Sequence, residues 1–204
     1  MTKSQLKRTT LPPHVQQQLL FLARQSIADH LFHIQTSSYV LLDPAANLKS
    51  GAFVTLFSQG KLRGCIGMVE AIEKLPVVIR EMSVAAATRD PRFDPVAPEE
   101  LVHLEIEISI LSELEEITGP EDIEIGTHGL LVRSDVHQGL LLPQVASNAG
   151  WSAEEFLSAT CRKAGLPALA WQQDEVKLFV FTATIFAEHN FQPAHNRSSH
   201  SGDS

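Results

Sequence analysis

Short polar turns between strand-like segments constrain the fold of this chain more than any other feature. Strand-like runs at 51–57 and 61–69 flank the polar turn 58–60, and the runs at 129–133 and 139–142 flank a second short connection. Antiparallel strands can be joined by such hairpin turns, whereas parallel strands need long crossover connections. The spacing therefore predicts mostly antiparallel pairing and an α+β fold, not a doubly wound parallel sheet.

The spacing of apolar residues predicts three helices and one further strand. Residues 15–34 repeat apolar side chains at helical spacing, and residues 75–89 are predicted as a second helix. The capping-box pattern at 152–155 opens a third helix, which we expect to end at Ala164. Strict alternation of apolar and polar residues over 104–111 is typical of a strand with one buried face.

The remaining segments give the expected boundaries. We expect residues 1–10 to be a flexible N-terminus, residues 11–188 to form one domain and residues 189–204 to be a disordered tail. The acidic stretch 113–124 is interpreted as a surface connection, and residues 176–185 as a single final strand.

Charge and cysteine content exclude several classes of function. The net charge of −8 argues against general nucleic-acid binding and against anionic membrane surfaces. No apolar run approaches the roughly 18 residues of a spanning helix, so we expect a cytoplasmic protein. The two cysteines, Cys65 and Cys161, are too few for a Cys-only metal site, and the sequence predicts no metal and identifies no cofactor.

The cysteine motif at 62–67 is the strongest candidate for chemistry. Gly64 and Gly67 permit a bulge or the close approach of another group, and Arg63 precedes Cys65 by two positions. A thiol beside a guanidinium can ionise and act as a nucleophile. The alternative is a bulged strand that carries a buried, inert cysteine.

Two further segments carry charged candidates. Asp90 and Arg92 lie in a rigid Asp-Pro turn, where Asp90 can hold Arg92 or cap backbone amides, and Arg92 can present its fork to a carboxylate or phosphate. Glu107 lies two residues after Glu105 on the predicted strand. It can be an acid or base on a buried face, part of a solvated face, or the partner of Arg92 or Arg63.

Three residues complete the set of candidates. His128, at the start of a predicted strand, is a candidate base near a thiol or a turn residue with no chemical role. Gln144 can offer its amide to a ligand. Cys161, in the last turn of the third helix, is interpreted mainly as a core residue, with a role beside Cys65 as the alternative.

Six motifs occur in an order that resembles a known family. They are residues 62–67, 90–93, 107–112, 128–130, 141–145 and 161–166. Together they closely resemble the AMME-syndrome candidate domain family, whose bacterial and archaeal members are called AmmeMemoRadiSam system protein A. The resemblance runs from about residue 15 to residue 188. It implies a compact α+β domain of two related β/α halves around a strongly curved, mostly antiparallel sheet.

The resemblance also implies partners but no settled activity. It implies a cytosolic protein encoded alongside a Memo-like metal-binding protein and a radical S-adenosylmethionine protein. One hypothesis is a cysteine-dependent enzyme that acts on a small anionic metabolite, and the alternative is a non-catalytic module that docks those partners. The motifs can also be devices of the fold alone. The candidate catalytic residues are Cys65, His128 and Glu107, and the candidate ligand-binding residues are Arg63, Gly64, Gly67, Asp90, Arg92 and Gln144.

Overall fold

The computed structural model describes residue 6 and residues 8–34, 43–70 and 73–191. The chain divides into two compact units. The first unit comprises residues 11–109 with 185–204, and the second comprises residues 1–10 with 110–184. None of the helices in the described ranges is both long and apolar enough to span a bilayer.

The described residues form four α-helices and eight strands, which confirms the α+β class. The helices are α1 (Pro13–Leu31), α2 (Leu75–Thr88), α3 (Pro143–Ala149) and α4 (Ala153–Lys163). The strands are β1 (Ala52–Ser58), β2 (Lys61–Met68), β3 (Leu104–Leu111), β4 (Glu115–Ile117), β5 (Gly129–Arg133), β6 (Gln138–Leu141), β7 (Lys177–Phe181) and β8 (Ala183–Ala187). Short 3-10 turns occupy Pro44–Ala46, Pro98–His103, Pro120–Asp122, Ala170–Gln172 and Glu188–Phe191.

The first sheet has the strand order β2-β1-β3-β8. The predicted hairpin between β1 and β2 is confirmed, and its two turn residues have positive φ, 51° at Gln59 and 74° at Gly60. Two successive positive φ values match the type I′ turn, whose twist suits a hairpin. The pairing then skips one residue between Leu56 and Phe57, so a bulge leaves Arg63 without an opposite residue.

Helix α2 approaches strand β2 very closely. A Cβ atom placed on Gly64 would lie 2.2 Å from the carbonyl oxygen of Ala86 on α2, which is closer than real Cβ atoms come. The alanine-rich face of α2 is buried, as are Val54 and Leu56 on β1. Glycine at position 64 therefore lets the helix backbone approach the strand that carries the cysteine motif.

The second sheet has the order β4-β7-β5-β6, and all its pairs are antiparallel. The predicted hairpin of β5 and β6 is confirmed, and α4 with its Ser152 capping box packs on these strands. Phe156 and Cys161 of α4 are fully buried in a core cluster with residues of β5 and β7. The interpretation of Cys161 as a core residue is therefore confirmed.

The expected elements need three corrections. The prediction of a single final strand at 176–185 is wrong. The extended segment is interrupted at Thr182, and the two strands on either side of it, β7 and β8, join different sheets. The connection at 113–124 contains strand β4, which forms because Ile117 finds a cross-strand partner in Leu178. Helix α3 was missed, although Pro143 at its first position and Gly150 in the left-handed region mark both ends.

The expected terminal segments are only partly within the described residues. Residues 192–204 of the expected tail and most of residues 1–10 lie outside them. Residues 188–191 form a 3-10 turn, so ordered structure continues three residues into the expected tail. The boundary of one domain at 11–188 and the curvature of the sheet stay predictions.

Replacing Gly64 by Ala tests the close approach of α2 and β2. We expect Gly64→Ala to lower the free energy of unfolding by about 1–3 kcal/mol, because the new methyl group displaces the helix backbone. Lys61→Ala, at an exposed position of the same strand, should change it by less than about 0.5 kcal/mol. Urea denaturation measures both, and equal stabilities of the two variants would contradict the close approach.

Candidate functional site

A buried carboxylate organises the candidate site in the first unit. Asp90 lies just after α2 and is only 4% exposed. Its Oδ2 accepts a hydrogen bond from the backbone N–H of Cys65 at 2.8 Å. The Cys65 backbone on β2 is thus bound directly to the segment that follows α2. We call Thr55, Cys65, Asp90, Arg92 and Phe93 the Cys65 cluster.

The same carboxylate holds the guanidinium of Arg92. Asp90 Oδ1 accepts from Nε of Arg92 at 2.9 Å, and Oδ2 accepts from Nη2 at 2.6 Å. Asp90 Oδ1 also accepts from the backbone N–H of Arg92 at 3.1 Å. Asp90 therefore does both things that the sequence left as alternatives, since it holds Arg92 and caps backbone amides.

This pair is ionised in the folded protein. Hydrogen bonds from Arg92, reinforced by the backbone N–H of Cys65, hold the pKa of Asp90 well below its usual range. The pKa of Arg92 is raised, chiefly by Asp90 and to a smaller extent by the side chain of Cys65. The charged guanidinium of Arg92 lies beside the Cys65 backbone, with Nη2 3.5 Å from the Cys65 carbonyl oxygen.

The Cys65 sulfur has a hydroxyl partner on the neighbouring strand. Thr55 lies directly opposite Cys65 in the hairpin, and its Oγ1 donates to Sγ at 3.4 Å. Thr55 is 7% exposed, whereas Cys65 is partly exposed. The sulfur is therefore bound by a hydroxyl of the neighbouring strand and is still reached from solvent.

The guanidinium beside Cys65 is that of Arg92, and the expected one, that of Arg63, is bound elsewhere. Arg63 donates from Nε and Nη2 to the carboxylate of Glu100 at 2.8 and 2.9 Å. Its Nη1 donates to the carbonyl oxygen of Asp94 at 2.9 Å. Because Arg63 is the extra residue of the bulge, the regular alternation that would place it beside Cys65 is broken.

Phe93 connects the two arginine pairs. The guanidinium carbon of Arg92 lies 5.5 Å from the centre of its ring, and that of Arg63 lies 6.0 Å from it. Cation–π contacts of this length contribute on the order of 0.5–1 kcal/mol at exposed sites. The ring thus supports the positions of both guanidinium groups.

Glu107 lies in the first unit but pairs with neither arginine, since Arg92 and Arg63 bind Asp90 and Glu100. Burial raises the pKa of Glu107; His189 opposes the rise and Glu105 adds to it. Nδ1 of His189 contacts a carboxylate oxygen of Glu105. A carboxylic acid with a raised pKa suits proton transfer. The catalytic role of Glu107 stays a prediction.

Two candidates belong to the second unit. His128 is buried, and its Nδ1 accepts from the backbone N–H of Glu124 at 3.1 Å, which fixes the ring within its own loop. Gln144, on α3, has a buried Oε1 that finds no hydrogen-bond partner among the described residues. Their catalytic and ligand-binding roles stay predictions.

Cys161 differs from Cys65 in its surroundings. Cys161 is fully buried in the core of the second unit, and this burial raises the pKa of its thiol. Across the ranges that the structure describes, no three His, Cys, Asp or Glu side chains are grouped as metal ligands would be. Of the two cysteines, Cys65 is therefore the one that a reagent can reach in the folded protein.

Sequence reasoning missed Thr55 and Glu100. The turn alone would pair Thr55 with Gly64, and only the bulge shifts it opposite Cys65. Glu100 sits in a 3-10 turn, where its Oε1 also accepts from the backbone N–H of Ala97 at 2.8 Å. The Glu at the third position of a turn that begins with proline was the available signal.

Comparison with known proteins identifies a family. A family model described as AMMECR1 matches residues 20–186. A Methanothermobacter thermautotrophicus protein is 42% identical over 179 residues, which cover 83% of this chain and 92% of that protein. A Thermococcus kodakarensis protein is 39% identical over 186 residues, with coverage of 83% and 88%.

A solved structure shares the fold. The crystal structure of an uncharacterized Pyrococcus horikoshii protein, PH0010, matches with a TM-score of 0.82 and 38% sequence identity. The match covers 87% of this chain and 93% of the other. The likeness therefore extends over both units of the described fold.

The Asp90 clamp has a pH signature. Replacing Asp90 by Asn should lower the free energy of unfolding by about 2 kcal/mol at pH 7, because charge-assisted bonds to Arg92 are lost. The folded pKa of Asp90 is depressed, so its contribution is present above the unfolded value of about 3.9 and is lost as the pH falls below it.

Urea denaturation at pH 7 and pH 3 measures this difference. The gap between the protein and its Asp90→Asn variant should be smaller at pH 3. Asp94→Asn is the control, because Asp94 is exposed and bonds Arg63 through its backbone carbonyl. A gap that is independent of pH would show that the Asp90 charge is not held by Arg92.

Proposed function

Since this chain belongs to the AMMECR1 family, we propose that it is a cysteine-dependent enzyme that acts on a small anionic metabolite. The observation that carries this proposal is the carboxylate of Asp90, which binds both the Cys65 backbone and the Arg92 guanidinium. One buried group thereby brings a nucleophile and a fixed positive charge together. We place this activity in the cytosol, where thiols stay reduced.

Arg92 supplies the anion-binding group of the proposed enzyme. Its side chain is 48% exposed, and its bonds to Asp90 run through Nε and Nη2. Among the residues that the structure describes, the bonds of Arg92 to Asp90 do not use Nη1, which we assign to a ligand carboxylate or phosphate oxygen. Because the guanidinium is already immobilised, little side-chain entropy is lost when the anion binds.

Cys65 supplies the nucleophile. With the thiol proton released to water, the sulfur attacks an electrophilic carbon of the bound metabolite, and a sulfur–carbon bond forms. The leaving group departs with its bonding electrons, so the metabolite is carried on Cys65 until it is transferred. Glu107, which lies in the same unit as Cys65, stays the candidate proton carrier for that transfer.

A second candidate function is a non-catalytic module that docks the Memo-like or radical S-adenosylmethionine protein. It is favoured by a groove of about 570 Å³ in the first unit, which is lined by both apolar and charged side chains. Phe21 of α1 and Val102 line this groove and are 69% and 78% exposed. Large apolar side chains that are exposed together are typical of protein-binding surfaces.

Two alkylating agents that differ in charge test the enzyme without a known substrate. We expect iodoacetate, an anion, to be favoured over neutral iodoacetamide at Cys65. The ratio of their rate constants should exceed that of free cysteine about fivefold, since an exposed ion pair contributes about 1 kcal/mol. Peptide mass spectrometry gives the rate at each cysteine.

Arginine variants make this test specific. Arg92→Gln should return the ratio to that of free cysteine, whereas Arg89→Gln, an equal change of charge at the exposed residue that ends α2, should leave it unchanged. Cys161 should react only after unfolding. A ratio in the intact protein equal to that of free cysteine, or a Cys65 that stays inert until unfolding, overturns the proposal.

The docking candidate has a separate test. On gel filtration with the purified Memo-like protein, we expect one peak for the complex, and Phe21→Asp should abolish it. Val136→Asp is the matched control. Val136 is an apolar residue that is 85% exposed, but it belongs to the second unit and does not line the groove. Separate peaks for the unaltered proteins would reject a stable complex through this groove.

A further inference from the structure

A pocket of about 510 Å³ in the second unit is lined by both tryptophans of the chain. Trp151 lies just before α4, and Trp171 lies in the 3-10 turn Ala170–Gln172. The other lining residues come from α4, from the same turn and from Leu169, which is 60% exposed. Small-molecule sites typically have volumes of about 300–1,000 Å³ and aromatic walls. We call this site the tryptophan pocket.

The rest of the second unit holds the two indole rings in place. Both tryptophan side chains are partly buried and pack against the core cluster that contains Phe156. The backbone N–H of Trp151 donates to the carbonyl oxygen of Ala146 at 3.0 Å, and Trp171 follows Ala170, which is 1% exposed. Because each ring contacts the core and also lines the pocket, little side-chain entropy is lost when a ligand packs against it.

The indole N–H of Trp171 lacks a hydrogen-bond partner. Its Nε1 is buried and finds no acceptor among the residues that the structure describes. A buried donor without a partner is costly, and nearly all such groups in proteins are bonded to protein, water or a ligand. An acceptor atom on a bound molecule would satisfy this donor.

A positive charge lies at the same end of the pocket as this donor. Arg162, in the last turn of α4, is exposed and lines the pocket. The backbone N–H of Trp171 is hydrogen-bonded to Cys161, the residue that precedes Arg162 on the helix. The guanidinium and the turn that carries the indole donor therefore meet at the C-terminal end of α4.

The two carboxylates of the lining lie at the opposite end of the helix. Glu155 accepts a hydrogen bond from the backbone N–H of Ser152 at 2.8 Å, and Glu154 accepts one from the Ser152 hydroxyl at 2.9 Å. At a rise of 1.5 Å per residue, they are separated from Arg162 by about 10–12 Å along the helix axis. An anionic group is therefore favoured at the Arg162 end.

We propose that the tryptophan pocket binds a small planar aromatic molecule that carries a carboxylate. The aromatic ring of the ligand packs against the indole rings, because offset aromatic pairs are favourable beyond the area that they bury. The carboxylate lies at the Arg162 end, and one of its oxygen atoms accepts from Nε1 of Trp171. The proposal goes beyond the proposed function, since this site belongs to a different unit from Cys65 and involves no reaction.

Nuclear magnetic resonance observes this pocket directly, because both indole N–H groups of the chain belong to residues that line it. Proton–nitrogen spectra of the full chain give one indole peak per tryptophan, and Trp151→Phe assigns the two. With sodium benzoate as the probe, we expect a saturable shift of the Trp171 indole peak, with a dissociation constant of about 10 mM or tighter. Sodium acetate, which has the charge without the ring, controls for ionic strength and should give no saturable shift.

Benzylammonium, a similar ring with the opposite charge, distinguishes the proposed site from a cation site. The carboxylates of Glu154 and Glu155 and the faces of the indole rings would attract a cation. Arg162 and the indole N–H of Trp171 favour an anion. We expect benzoate to bind at least about fivefold more tightly than benzylammonium, the factor expected from one exposed ion pair. Equal or tighter binding of benzylammonium overturns the proposal.

Two neighbouring substitutions make the test specific. Arg162→Gln should raise the dissociation constant of benzoate about fivefold. Lys163→Gln removes the same charge from the next residue of α4, which does not line the pocket, and should leave the constant unchanged. Circular dichroism checks that both variants fold. Equal effects of the two substitutions, or a Trp171 indole peak that benzoate does not move, overturn the proposal and leave the alkylation test of Cys65 unaffected.

Discussion

The buried carboxylate of Asp90 is the constraint on which the candidate site depends. A charge that is 4% exposed is tolerated only when hydrogen bonds and an opposite charge replace the lost water. Asp90 obtains them from the backbone N–H of Cys65 and from Arg92, and so joins strand β2 to the segment after α2. The position of the thiol is thus a consequence of satisfying one carboxylate.

Two details of the backbone allow this arrangement. Gly64 lets the carbonyl of Ala86 on α2 approach β2 more closely than any side chain would permit. The bulge leaves Arg63 unpaired in register and shifts Thr55 opposite Cys65, where its hydroxyl reaches the sulfur. Close packing of α2 on β2 and the shifted register of the hairpin together determine which groups surround the thiol.

The charges of the site are largely neutralised by pairing. Arg92 is held by Asp90 and Arg63 by Glu100, with Phe93 near both guanidinium groups. What the cluster offers a ligand is the thiol and the exposed edge of one guanidinium. Such a site suits a small molecule with one anionic group, and it has too little free positive charge for a polyanion.

The sequence by itself determined the α+β class, both hairpins and the main helices, because short turns and residue spacing act locally. It also offered two roles for Asp90, holding Arg92 or capping backbone amides, because both act within one turn. Only the tertiary structure decided that β7 and β8 enter different sheets, that Arg63 pairs with Glu100, and that Thr55 faces Cys65. Those outcomes depend on a bulge and on partners distant in sequence, and local patterns carry no information about such long-range pairing.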